Sequence, residues 1–464
     1  MDISRALPLR YLLPLIIFIE GFVSIAVEIL TIRQLLPVAG GSVIVTSLII
    51  GFFLLFLAGG YQRGGRLCTQ LRQSLQVNFL ISAVWLGVGL SYAFITLFFY
   101  AVQRITGPHI VYPLIAYLLF VIAPLSYLLG QTIPITMNMV KQDALAGKIG
   151  GETLGLSTVG AFLGATLTTL VLMSFLGVAW TIIINVFLLL LLVFFLADSA
   201  KAFLLLLCIM LVVISLIYPL NILIERHFFI LTNHYANYQI SNQNNSPLKN
   251  DEQILFINEA PSSFVNKDKQ GFAYIERIKK ILFHELKLRD KSILVLGAGG
   301  FSLTAASDYH NHITYVDIDS KIKNIVVPQF LNEMQSDFVV DDARHYLQTT
   351  NNLYDAIIVD VYSDIKSMPA YLLTREYMQI IKLRLSASGV VIFNIIANPL
   401  LADAYSKRVD NTIRTVFHSC MTIPLAYEDR PTNILYACSN KGNQSDSVIY
   451  SDNLNNATTD SFNW

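Results

Sequence analysis

Charged side chains are scarce in this 464-residue sequence: Asp, Glu, Lys and Arg make up 14% of it, and 32 basic residues balance 32 acidic ones. With no net charge of either sign, there is no global field to draw in nucleic acid or an acidic surface. Cysteine is scarcer still. Cys68, Cys208, Cys420 and Cys438 show no CxxC spacing, which argues against a zinc site and against a disulfide scaffold, in keeping with a reducing compartment for the C-terminal half. No internal repeat is visible. His310 and His312, on either side of one Asn before a strand, read as loop histidines, and no metal site is expected.

What replaces charge is apolar surface, at 54% of the residues. Its distribution is uneven: residues 1–224 hold 16 of the 64 Asp, Glu, Lys and Arg side chains. Apolar stretches of the roughly 20 residues that cross a bilayer occur near 11–31, 42–60, 77–100, 111–137, 153–175, 178–197 and 202–220. The first follows Arg5 and Arg10 but is too long for a cleaved signal and contains Glu20 and Glu28, so it reads as a retained helix. Those two carboxylates read either as a cation path or as an interior Glu20 and a Glu28 paired with Arg33. Gly160 and Gly164 read as close helix packing.

The expected organisation is a polytopic helical membrane domain over 1–224, a small β region with a linking helix over 225–290, a Rossmann-like α/β domain over 291–439, and a polar, disordered tail over 440–464. Basic residues at Arg5, Arg10, Arg63, Arg66, Arg72, Lys141, Lys148 and Lys201 place the N-terminus in the cytoplasm. Seven spans would then carry the C-terminal domain outside, whereas a domain using a cytosolic nucleotide-like ligand is expected inside. One segment is therefore expected not to span: 111–137, with Pro124, Gly130 and Pro134, as an irregular or re-entrant piece, or else one of the short pair over 178–220.

From Phe272 to Leu288 the pattern is an amphipathic helix, with Lys279, Lys280, Lys287 and Arg289 on a solvated face. Strands are expected at Ser292–Leu296, Ile313–Asp317, Phe338–Val340, Ala356–Asp360 and Val390–Ile395, alternating with helices as in a mostly parallel sheet. The first runs into Gly297-Ala-Gly299-Gly300, a turn whose backbone can approach a ligand closely. Asp317 ends the second strand, where a carboxylate can reach ribose hydroxyls. Asp341 and Asp342 end the third, as ligand contacts or as helix caps. Asp360 ends the fourth, at the edge where chemistry occurs in open α/β folds.

Taken together, Tyr238-Gln239, Gln270-Gly-Phe-Ala-Tyr274-Ile-Glu276, Leu296-Gly-Ala-Gly-Gly300, Val316-Asp-Ile-Asp319, Asp341-Asp342-Ala343, Asp360 and Pro369 with Leu372-Leu-Thr-Arg375 resemble the polyamine aminopropyltransferase (spermidine synthase) family over about 235–425. The apolar half resembles the integral-membrane branch of that family in Gly21-Phe, Glu28-Ile, Arg33-Gln-Leu-Leu-Pro37, Gly51, Gly59-Gly60-Tyr, Gly64 and Gly155 to Gly164.

The resemblance implies a methyltransferase-like sheet, decarboxylated S-adenosylmethionine as donor, a small-molecule amine as acceptor and a homodimer; no metal is expected, and the apolar spans and the nucleoside-like ligand together lead to the expectation of a multi-pass inner-membrane protein with a cytoplasmic catalytic domain. By it, Gln239, Gly297, Gly299, Gly300, Asp317, Asp342 and Ala343 bind the nucleoside, and Asp360 is the acid-base residue. Tyr274, Glu276, Tyr362, Asp364 and Pro369 would line the amine site. The sequence departs from the family where the diamine is held: Ile275 stands for a His, Gly300 for an Asp, and Asp360-Val-Tyr-Ser-Asp364 for an Asp-x-x-Asp-Pro run. That leaves two alternatives open, an S-adenosylmethionine-dependent methyltransferase and a polyamine transporter or sensor.

Overall fold

A computed structural model describes residues 9–40, 42–107, 109–140, 146–197, 200–242, 252–304, 310–331, 336–362, 368–439 and 452. The chain divides into two compact units, Met1–Ala236 and Asn237–Trp464.

The first unit is helical. Among the described residues, six helices are long and apolar enough to cross a membrane: Tyr11–Ala39, Val43–Gly65, Val111–Met139, Gly147–Leu176, Val178–Phe195 and Lys201–Phe228. A further pair, Leu71–Gly89 and Tyr92–Thr106, meets at a 72° bend. Ser91 makes that bend a clean restart, because its side chain caps the second helix by accepting from Phe94 N. The sharp break thus falls at 89–92, whereas Val111–Met139 runs as one candidate span, irregular at the π-helical stretch Leu118–Ile122. Pro124 is tolerated because it occupies the first turn after a π-helical segment, Leu118–Ile122, where the missing N–H is not required.

Large apolar side chains face outward along these helices, among them Leu55, Phe120, Phe162, Phe175 and Leu204. An exposed apolar surface of this extent suits lipid rather than water. Helices Tyr11–Ala39 and Gly147–Leu176 lie backbone to backbone, since a Cβ on Gly160 or Gly164 would stand 2.2 or 2.3 Å from the carbonyl oxygens of Phe18 and Phe22. Glu20 of the first helix is buried and accepts from Ser24 Oγ at 2.6 Å. The two-residue strand β1 (Leu231–Thr232) falls after the last helix.

The second unit begins with an antiparallel meander of β2 (Asn237–Asn242), β3 (Gln253–Ile257) and β4 (Ala260–Val265). A short helix, Ala273–Lys279, continued to Glu285 by a π-helical turn, leads into the main sheet. That sheet comprises β5 (Ser292–Leu296), β6 (His312–Asp317), β7 (Asp337–Val340), β8 (Tyr354–Val359), β9 (Leu385–Ala397), β10 (Ser419–Pro424) and β11 (Thr432–Ser439). Its order is β10-β11-β9-β8-β5-β6-β7, with β5 to β9 parallel and β10 and β11 antiparallel.

This is the expected methyltransferase-like sheet, completed by a hairpin that the sequence pattern did not reveal. Its centre is dry: Leu294, Leu296, Ile357, Val359, Val391 and Phe393 are fully buried in one core cluster with Leu347, Tyr377, Ile381 and Ile413 of the flanking helices. The order reverses between β5 and β8, and ligands of open α/β sheets bind outside the carboxyl ends at such a reversal.

The hairpin corrects one expectation. Cys420 and Cys438 are register partners on β10 and β11 and form a disulfide. Their separation of 18 residues carries no motif, because the pairing depends on hairpin register. Lys279 corrects another. It is buried, with its ammonium 2.9 Å from Glu276 Oε1, whereas Lys280, Lys287 and Arg289 are exposed as expected. The polar tail from 440 lies outside the described residues except for Asp452, whose carboxylate pairs with Arg344.

Candidate active site at the carboxyl edge of the sheet

Four parallel strands, β8-β5-β6-β7, lie side by side and deliver Asp360, the glycine turn, Asp317 and Asp341-Asp342 to one edge. The turn is held at both ends: Gly297 N donates to Val316 O and Asp360 N to Leu296 O, each at 2.9 Å. Gly297 has φ +90°, and a Cβ there would stand 2.2 Å from Asp360 O. Only glycine fits.

Asp360 lies beside Asn394, the polar residue within the apolar run Val390–Ala397 of β9. Register places Val359 opposite Phe393, which brings the next residues of β8 and β9 together. Asn394 Nδ2 donates to Asp360 Oδ1 at 2.8 Å, and Asn433 Nδ2 holds Asn394 Oδ1 at 2.9 Å. From the other side the Tyr274 hydroxyl donates to Asp360 Oδ2 at 3.0 Å. Burial raises the Asp360 carboxyl above its ordinary range, and the two donated bonds oppose the rise. Tyr274 is pushed well up, by burial first and then by the Asp360 charge, so its phenol stays a donor. The arrangement is a fixed, partly desolvated carboxylate of enhanced basicity. Phe272 stacks at 6.3 Å from Tyr274 and at 5.7 Å from Phe264, giving the site an aromatic flank.

Asp317 is partly engaged by its own loop. Oδ2 accepts from Ala298 N at 2.9 Å and Oδ1 from Asp319 N at 3.0 Å, so the side chain clamps the glycine turn to β6. Each oxygen keeps lone-pair capacity for a ribose hydroxyl. Burial raises its pKa, against those backbone donors. Asp342 caps the helix Ala343–Thr349, accepting from Arg344 N and His345 N, and its other oxygen takes the Tyr371 hydroxyl at 2.7 Å. Tyr371 belongs to the turn Ala370–Leu372 that Pro369 initiates. Ala343 is buried, and Gln239 is half-buried on β2 opposite Phe256.

The expected amine-site residues divide. Tyr274 joins Asp360. Glu276 is turned to Gly271 N at 2.7 Å and to Lys279. The Tyr362 hydroxyl is tied into β9, donating to Asn394 O at 2.9 Å and accepting from Ile396 N at 2.7 Å. Asp364 lies outside the described residues. Ile275 is buried. At Gly300 there is no space for a side chain: a Cβ would meet Ser263 Cβ at 2.6 Å, and Gly300 N donates to Ser263 Oγ at 2.7 Å.

Asn394, Ser263 and Tyr371 were not singled out from the sequence. For Asn394 a signal existed, a lone amide within Val390–Ile395. Tyr238, whose hydroxyl donates to the buried Asp319 at 2.6 Å, fastens the meander to the end of β6. Among the described residues no group of three or more His, Cys, Asp or Glu is placed to hold a metal.

Residues 271–445 match the family described as spermine/spermidine synthase domain. The chain is 27% identical over 164 residues to a polyamine aminopropyltransferase of Saccharolobus solfataricus, covering 32% of this chain and 54% of that protein. It is 28% identical over 164 residues to a polyamine aminopropyltransferase of Vibrio vulnificus, covering 34% and 53%. With a probable polyamine aminopropyl transferase of Bifidobacterium longum it shares 26% over 149 residues, 31% and 32% of the two chains. The chain thus spans about half or less of the length of these relatives. A probable spermidine synthase structure from Corynebacterium glutamicum aligns over 46% of this chain and 79% of its own, at 21% identity and a TM-score of 0.39. On its sequence match over 271–445, the α/β unit of this chain belongs to the spermine/spermidine synthase domain family.

Proposed function

We propose that this protein is a membrane-anchored aminopropyltransferase that moves a propylamine group from decarboxylated S-adenosylmethionine to an amine. One observation carries the reading: in a domain of this family, Asp360 stands at the strand-order reversal, held by Tyr274 and Asn394, with its basicity raised by burial. The sulfonium donor needs no activation. The amine nitrogen attacks the propyl carbon adjacent to sulfur, the carbon–sulfur bond breaks, methylthioadenosine leaves with the electron pair, and the proton of the new ammonium passes to Asp360.

The protein's work is alignment and proton removal, and a positioned general base contributes typically ~10²–10⁴-fold. Asp317 and the glycine turn take the nucleoside, with Gln239, Asp342 and Ala343 beside the same edge. The six long apolar helices and the bent pair supply the anchor.

The acceptor is the point of departure from the relatives. A dication needs a fixed acceptor at each end, because a desolvated ammonium without a partner is costly. Here one end has Asp360, whereas Ile275 is apolar and Gly300 is closed by Ser263. This favours an acceptor with one primary amine near Asp360 and an apolar or distant second group. The test is mass analysis of products from membranes supplied with the donor and a panel of mono-, di- and polyamines. Methylthioadenosine with an aminopropylated monoamine in excess over aminopropylated putrescine supports the reading. Methyl transfer from S-adenosylmethionine in the same membranes would replace it with the methyltransferase alternative.

A further inference from the structure

The helical unit has two distinguishable ends, and the hydrogen bonds that tie its helices together assign each terminus to one of them. At the first end, Arg72 Nε and Nη2 donate to Leu196 O and Ala197 O at 2.9 and 3.0 Å, and Asn138 Nδ2 donates to Leu67 O at 3.0 Å. The ends of Val43–Gly65, Val111–Met139 and Val178–Phe195 therefore lie with the start of Leu71–Gly89.

At the second end, Arg33 Nε donates to Asn233 O at 2.6 Å, Gln34 Nε2 to Leu90 O at 2.8 Å, and the Tyr117 hydroxyl to Gly89 O at 2.8 Å. Val178 N donates to Thr232 Oγ1 at 3.1 Å, and Ser174 Oγ meets His234 Nδ1 at 2.9 Å. These contacts give seven traversals of the bundle. Leu71–Gly89 makes the third by itself, its 19 residues spanning ~28 Å, and Tyr92–Thr106 turns away at the second end.

Charge separates the ends. Arg10, Arg63, Arg66, Arg72, Lys148 and Lys201 fall at or beside the first end, against Arg33, Arg104 and Arg226 at the second. Arg33 is buried, Arg104 is bonded to the Tyr100 hydroxyl, and no Lys or Arg occurs between Arg226 and Lys249. Lys and Arg in short loops mark the cytoplasmic face. An odd number of traversals leaves the chain at the opposite face, where Asn233 sits. A second, independent observation agrees: the α/β unit carries the Cys420–Cys438 disulfide, a bond that persists in oxidising compartments, whereas the free Cys68 follows the first-end helix terminus.

We infer that the membrane unit crosses seven times and that the α/β unit, with Asp360, faces the non-cytoplasmic compartment. This reverses the expectation of a cytoplasmic catalytic domain, which rested on where nucleosides abound and not on the chain. Taken with the proposed chemistry, on which this consequence rests, the site draws its amine from outside, and a transport step must deliver the sulfonium donor to that face.

The test is labelling of the full-length protein in intact cells with a membrane-impermeant maleimide, in a Cys208→Ser background. A cysteine at Tyr427→Cys, or separately at Leu400→Cys, reads the α/β unit, since both positions are exposed loops; native Cys68 reads the other face. The expected result is at least tenfold stronger labelling of the introduced cysteine than of Cys68, which reacts only after permeabilisation. Cys420 and Cys438 should resist alkylation until reduced. Labelling of Cys68 in intact cells with Tyr427→Cys protected, and free Cys420 and Cys438 thiols, overturns the assignment. Neither readout requires turnover, so failure of the amine assay in the same membranes counts against the aminopropyl chemistry alone.

Discussion

Tyr274 and Asp360, 86 residues apart in sequence, share a 3.0 Å hydrogen bond from the phenol to Asp360 Oδ2. The bond joins the helix that precedes the sheet to the carboxyl end of β8. With Asn394 on the opposite oxygen, it fixes one plane and one direction for the carboxylate.

If that carboxylate takes the amine proton, Asp360→Asn lowers kcat/KM by ~10²–10⁴ while leaving nucleoside binding within a few-fold. Calorimetry with methylthioadenosine on both proteins checks the second half. Parallel loss of binding and turnover would make Asp360 a ligand contact rather than a base.

The acidic limb of the pH profile follows from the same contacts. Burial raises the Asp360 pKa while Tyr274 and Asn394 hold it down. The base must be ionised, so activity falls as pH drops through this raised value. Tyr274→Phe and Asn394→Ala each remove a donor to the ionised form, worth about 1.5–3 kcal/mol. Each is expected to move the limb of kcat/KM to higher pH by about one to two units. An unmoved limb in both variants would mean that another group sets it.

Substitutions in the glycine turn report on space. Gly297→Ala combines a left-handed backbone with a Cβ 2.2 Å from Asp360 O, and is expected to cost about 1–3 kcal/mol and to displace the catalytic carboxylate. Gly300→Asp, which restores the residue the resemblance expects, meets Ser263 and is expected to lower the melting temperature of the protein without improving use of putrescine. A stable Gly300→Asp variant with gained diamine activity would show that Ser263 yields.

The disulfide closes a loop of 18 residues between adjacent strands. Reduction, or Cys438→Ser, is expected to destabilise the α/β unit by about 3 kcal/mol, read as a shift in the denaturant midpoint of its unfolding. Identical midpoints with and without reductant would mean that the bond does not form in the protein as expressed.

Much of this site can be read in the sequence because β5 and β8 are buried on both faces and so carry the apolar runs Ile293–Leu296 and Ala356–Val359 into Gly297 and Asp360, while β6 carries the buried Tyr315-Val316 into Asp317. The hairpin of β10 and β11 cannot, because β10 is an edge strand with half its side chains in solvent and shows no clear period. The disulfide was hidden for the same reason. The partners of Asp360 were half legible: Tyr274 through the resemblance, Asn394 only through register. Lys279 resisted because a cation at helical spacing looks solvated until Glu276 is found beside it. In the apolar half, proline drew the expected break to 111–137, although Pro124 fits a helix first turn and the bend is made by Ser91.

The most direct test of the central claim is the product assay. Membranes containing the full-length protein, given decarboxylated S-adenosylmethionine and an amine panel, should release methylthioadenosine together with an aminopropylated amine, and Asp360→Asn membranes should release neither above ~1% of that level. No aminopropylated product with any amine, or equal product from the Asp360→Asn protein, would contradict the account.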